Sequence, residues 1–143
     1  MIFLGDIAIP PNVFPAHCAK TQRLFESKAV AANLEGALIR DGEPLLERHV
    51  LFNDESRTLD YLEQSNIKLV SLANNHILDV SENPAYTIRT LRARGIQSCG
   101  AGACLEEAMS PAMVTDGAND LLFLAFGWEV IECKAATEKS PGV

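Results

Sequence analysis

The order of apolar and polar segments predicts an α/β layered domain with a largely parallel sheet. Three observations carry that expectation. Short apolar runs alternate with stretches of helical spacing, and three of the runs stop abruptly at polar residues, as buried strands do when they deliver side chains at their carboxyl ends. In addition, 48% of the 143 residues are hydrophobic and 22% charged, which is enough to bury a core and excludes a disordered or collagen-like chain.

Each element follows from local chemistry. Ile2-Phe3-Leu4 leads into Gly5-Asp6-Ile7 as a first strand ending at a glycine-acid pair. Pro10, Pro11 and Pro15 force an irregular link before a helix expected over residues 16–27. Val30-Ala31-Ala32-Asn33-Leu34-Glu35-Gly36 reads as a second strand with a polar tip, followed by a loop or hairpin over Asp41-Gly42-Glu43-Pro44. Asn53 and Asp54 offer caps for a helix to about Ser65, in which Leu59 and Leu62 share a face. A third strand over residues 67–72 runs straight into Ala73-Asn74-Asn75-His76. A helix from about Pro84 to Arg94 follows, with Pro84 in the first turn and Gly95 as its stop. Residues 96–99 form a fourth strand, and Gly100-Ala101-Gly102 turns the chain into a short helix over 105–109, ended by Pro111. Two last strands, over 112–114 and 121–126, flank a turn at Asp116-Gly117. No repeat, low-complexity segment or boundary divides residues 1–143, so a single domain is expected.

Charge narrows the partners. Twelve basic and 19 acidic residues give a net charge of −7, and no stretch interleaves Lys and Arg with aromatics, so nucleic acid is excluded as an expected partner. A phosphorylated or polyanionic small molecule or polymer then needs local help from a metal ion or a helix N-terminus. The longest apolar run, residues 121–126, is far below the roughly 20 residues of a membrane span, and no basic, apolar leader precedes Gly5-Asp6. The expected location is cytoplasmic. Cys18, Cys99, Cys104 and Cys133 form no C-x-x-C pair and read as buried thiols rather than zinc ligands.

Asp6, Glu35 and the pair Asn75-His76 each fall at the expected carboxyl end of a different strand, so the topology brings them to one edge. Two carboxylates and an amide oxygen supply hard ligands for a divalent cation, and an imidazole supplies proton exchange near neutral pH. Ordinary alternatives stand beside this: Asp6 capping the next turn, Glu35 as a solvated acid, and Asn74-Asn75 as turn formers. His76 gains weight from Asp79 three residues on, since one helical turn lets the carboxylate bond a ring nitrogen and fix the tautomer. Such a histidine can donate a proton to a leaving oxygen. His17, beside prolines, and His49, among charged residues, are expected on the surface.

The segments Gly5-Asp6-Ile7, Asn33-Leu34-Glu35-Gly36, Ser71-Leu72-Ala73-Asn74-Asn75-His76-Ile77-Leu78-Asp79 and Gly100-Ala101-Gly102 occur in that order. Together they resemble the bacterial capsule-synthesis CapA (poly-γ-glutamate biosynthesis) family of calcineurin-like metallophosphoesterases. The Ala-Asn-Asn-His-x-x-Asp block is the specific part, and the likeness covers essentially the whole chain. It implies a metallophosphoesterase-like α/β fold and a divalent metal, manganese, iron, zinc or magnesium, with two ions accommodated when Glu35 bridges them. By the same match, Asp6, Glu35 and Asn75 are the metal ligands, and His76 and Asp79 the catalytic pair. Two positions depart from the pattern. Ala8 replaces the histidine that general metallophosphoesterases place two residues after the first aspartate, and Ser81 stands where the family commonly has glycine.

The resemblance also implies a longer domain with further metal-binding histidines, whereas this sequence stops at Val143 inside the shared region. Two functions are therefore expected in parallel. One is a metal-dependent phosphoesterase-like hydrolase associated with capsule polymer synthesis. The other is a catalytically incomplete module that needs a homo-oligomer, a partner or the absent half to complete the site, with apolar surface left bare. Reading Gly100-Ala101-Gly102 as a dinucleotide turn fails on Leu105, which stands where a third glycine is needed.

Overall fold

A computed structural model describes residues 1–16, 18–40, 42, 43 and 50–143. The expected surface positions of His17 and His49, and the expected loop's Asp41 and Pro44, lie outside the described residues. The chain builds a mixed α/β fold around a four-stranded parallel sheet in the order β1-β2-β5-β6. Its strands are β1 (Ile2–Ile7), β2 (Val30–Leu34), β5 (Ile67–Ser71) and β6 (Gln97–Cys99). Their register aligns the strand ends: Asp6 lies opposite Asn33, Asn33 opposite Ser71, and Ser71 opposite Cys99.

Alternation along β2 sets the two faces. Val30, Ala32 and Leu34 enter a core completed by Leu59 and Leu62 of α2 (Glu55–Gln64), Leu91 of α3 (Ala85–Ala93) and Phe25 of α1 (Ala19–Glu26). Ala31 points the other way and joins Leu69, Cys99, Ala112 and Val114, the last two from β7 (Ala112–Asp116). This strand pairs antiparallel with β8 (Asn119–Phe123) in a hairpin packed over the second face. Coverage there is partial, because Phe3, whose ring meets that of Phe123, stays 68% exposed.

The α3 terminus shows why the helix ends where the sequence says it should. Gly95 adopts φ +72°. That left-handed turn lets its N–H donate to Arg92 O and the Ile96 N–H to Leu91 O, each at 3.0 Å. Both bonds satisfy carbonyls that the helix leaves open, and Leu91 and Ile96 are buried together in the core beneath them.

Several expectations change. Of the loop or hairpin expected after β2, the hairpin is ruled out, because β3 (Ala37–Ile39) and β4 (Phe52–Asp54) pair in parallel as a separate two-stranded sheet. β3 begins just after the tip of β2 and β4 runs directly into α2, so neither stands out as a separate apolar run. The helical cap is Asp54, which accepts from Arg57 N–H at 3.0 Å, while Asn53 is wholly buried in another role. The last strand ends at Phe123 rather than at residue 126. Not all cysteines are buried. Cys99 and Cys133 are, Cys104 is half-buried, and Cys18 is exposed because it opens α1, whose one buried residue is Phe25. Burial pushes the Cys99 thiol above its ordinary pKa, whereas backbone N–H groups of Lys20 and Thr21 lower that of Cys18. α4 (Leu105–Ala108) is a single turn. No helix among the described residues is long and apolar enough to cross a membrane.

Candidate active site at the strand carboxyl ends

Parallel register and strand alternation place Asp6, Asn33 and Glu35 on one side of the sheet, at its carboxyl edge. Asn33 joins the two acids. Its Nδ2 donates to Asp6 Oδ1 at 2.8 Å and also to Glu35 Oε2, so both carboxylates converge on one amide nitrogen. Asp6 is exposed and Glu35 half-buried. Among the described residues neither acid forms a salt bridge.

Asn74, buried behind them, ties this pair to the next strand. Its Nδ2 donates to Leu34 O at 2.8 Å and to Asn33 Oδ1 at 3.2 Å. Its Oδ1 accepts from Gly36 N–H at 3.1 Å and from His76 N–H at 3.2 Å. Two donors and two acceptor positions are thus used in full, as a buried amide requires. Gly36 also packs closely against the backbone of Leu51. Its φ is +83°, and a Cβ there would lie 2.7 Å from Leu51 O.

His76 is held from both ring nitrogens. Nδ1 lies 2.7 Å from Asp79 Oδ2, which also accepts from Leu51 N–H at 3.0 Å, so the carboxylate fixes the proton on Nδ1. Nε2, left as the acceptor, lies 3.2 Å from Asn75 Nδ2. The half-buried ring is 26% exposed, open enough to meet a ligand.

Asn53 is the other hidden support. Its Oδ1 accepts from Ile9 N–H at 2.7 Å, and its Nδ2 donates to Glu35 O at 2.8 Å and Gly36 O at 3.2 Å. One buried side chain therefore clamps the tips of β1 and β2 together.

All five expected site residues lie in this connected region. Asp6 and Glu35 meet at Asn33, His76 meets Asp79 and Asn75, and Asn74 links the two groups. No hydrogen bond joins Asn75 to either acid among the described residues. From the sequence, Asn33, Asn53 and Asn74 have no part in the site: Asn53 stands there as a candidate helix cap and Asn74 as a candidate turn former. Their one signal was an amide at each strand tip or helix start, which turn chemistry explains equally well.

Oxygen donors from two carboxylates at one point suit a hard divalent cation in chemistry. The set is small: among the described residues no group of three or more His, Cys, Asp and Glu side chains gathers to hold a metal.

A family model described as bacterial capsule synthesis protein PGA_cap matches residues 6–143. A protein described as a probable polyglutamine synthesis accessory protein, from Mycobacterium tuberculosis (strain CDC 1551 / Oshkosh), is 34% identical over 116 residues, which cover 78% of this chain and 30% of that relative. One of the same description from strain ATCC 25618 / H37Rv matches over the same 116 residues at 34% identity. The chain spans about 30% of the length of these curated relatives.

Proposed function

The chain belongs to the bacterial capsule synthesis protein PGA_cap family, and from that premise we propose that it is a metal-dependent phosphoesterase-type hydrolase domain serving capsule polymer synthesis. The observation that carries this reading is the meeting of Asp6 and Glu35 at Asn33, linked through Asn74 to the segment that carries the oriented His76. Asp6 and Glu35, with the amide oxygen of Asn75, would hold a divalent cation. When bound, the cation supplies charge neutralisation and polarisation of a phosphoryl oxygen.

The chain's own residues do the rest. Asn33 holds the two acids at a common point, and Asn53 and Asn74 fix the strand tips that carry them. Asp79 acts as a positioning residue, holding the imidazole through Nδ1 so that Nε2 is the atom presented to the departing oxygen. Protonated there, His76 donates to that oxygen, and Asn75 is the neighbour that must give way at Nε2.

Phosphodiester hydrolysis with and without manganese, for wild type and His76→Ala, tests the proposal. Manganese-dependent turnover that falls about 100-fold in the variant is expected for loss of a general acid. Equal rates in the two proteins sink it. The small donor set favours a second reading, a non-catalytic module in polymer assembly. A folded chain that shows no calorimetric heat with manganese and no hydrolysis is the outcome that reading expects.

A further inference from the structure

We infer that the cavity between α3, β6 and the α4 turn is a separate binding site for a carboxylate-bearing polyamide chain. The cavity holds about 330 Å³ and is lined by Arg89 and Arg92 of α3 and by Gln97 and Ser98 of β6. Arg89, Arg92 and Arg94 put three of the chain's 12 basic residues within one short helical stretch of a molecule whose net charge is −7. Arg94 is engaged by Glu63 at 3.1 Å. Among the described residues, Arg89 and Arg92 have no carboxylate partner. Their i,i+3 spacing sets both guanidinium groups on the same side of the helix, toward the cavity they line.

The remaining lining chooses among anions. Glu107 is the one acid at the cavity wall, and its Oε2 is bound by the Ala103 N–H at 2.8 Å, which holds that oxygen to its own turn. The Gln97 amide and Ser98 hydroxyl offer partners for peptide-type groups, and Ile88 and Pro111 offer apolar contact for methylenes. A phosphate would accept from the arginines, the Ser98 hydroxyl and the Gln97 NH2, and would leave the Gln97 carbonyl and the apolar wall unused. A chain that carries carboxylates on a backbone of amides and methylenes uses every part of the wall. The ligand class rests on the capsule-polymer reading above, whereas the cavity and its charge do not.

Binding of a fluorescent linear γ-glutamyl oligomer, measured by anisotropy in chelator without metal, tests the site. The chain is expected to bind it, and the double variant Arg89→Gln, Arg92→Gln to lose about tenfold in affinity, as expected when two exposed charge-assisted contacts go. An uncharged glutamine oligomer and inorganic phosphate are expected to compete weakly. The variant is altered at two exposed positions and is expected to keep the wild-type circular dichroism spectrum, the check that it stays folded. Absence of binding, or equal binding by the double variant, overturns the site. Equal competition by phosphate overturns the polyamide assignment, and equal competition by the glutamine oligomer overturns the role of the arginines. His76→Ala is expected to bind the oligomer normally, and the double variant to hydrolyse a small diester normally, so this site and the hydrolase reading fail separately.

Discussion

The two ends of the parallel sheet treat carboxylates in opposite ways. At the amino end, Asp116 receives the Met1 ammonium on Oδ2 and the Ala29 N–H at 3.0 Å on Oδ1, and the ammonium, ahead of the backbone bond, holds its carboxyl below the ordinary aspartate range. At the carboxyl end, Asp6 and Glu35 share a single neutral amide and have no cationic partner among the described residues. One acid is neutralised and serves cohesion. The other two are gathered against their mutual repulsion, an arrangement that stability alone does not explain and that a bound cation would relieve.

The supports of the carboxyl end offer the largest test. Asn74→Ala removes all four hydrogen bonds of a buried amide and strands the Leu34 carbonyl and two N–H groups, so a loss of about 3 kcal/mol is expected in urea denaturation. A loss below about 1 kcal/mol would mean that water replaces the side chain and that the strand tips are not pinned from behind. Gly36→Ala comes next. Its Cβ would press on Leu51 O in a left-handed conformation, and about 2 kcal/mol of destabilisation is expected.

The contrast itself is sharpened by single acid-to-amide changes. Asp6→Asn, without metal, is expected to raise stability by about 0.5 kcal/mol, because it ends a like-charge approach at an exposed position. It should also abolish any metal-dependent hydrolysis, giving the opposed shifts in stability and activity typical of functional groups. A destabilised variant would place Asp6 with Asp116 among the structural acids. The smallest effect is a change in pH dependence. Because the folded pKa of Asp116 is depressed, its contribution is present above the ordinary aspartate range and fades as the pH falls through the lowered value. Asp116→Asn should therefore flatten the acid limb of a stability profile and leave the neutral region lower, while wild type keeps the steeper limb.

What could be read from the sequence followed from local rules. The four parallel strands, the Gly95 stop and the polar residues at three strand ends all come from apolar runs and turn chemistry, which act over a few residues. The same rules placed Asp6, Glu35, Asn75, His76 and Asp79 at one edge. They missed β3, which follows directly on the tip of β2, and β4, which runs straight into α2, and of the two caps they offered, Asn53 and Asp54, Asp54 fills the place.

Sequence alone thus determined the alternation of strands and helices and the edge at which the polar residues gather. Only the tertiary structure decided that Asn33 would receive both acids, that Asn53 and Asn74 would hold the strand tips from behind, and that Arg89 and Arg92 would line one cavity. An amide side chain looks the same in a solvated turn and in a buried clamp. Its role depends on which distant carbonyl and N–H groups the fold leaves without water, and that is settled when the strands pair in register.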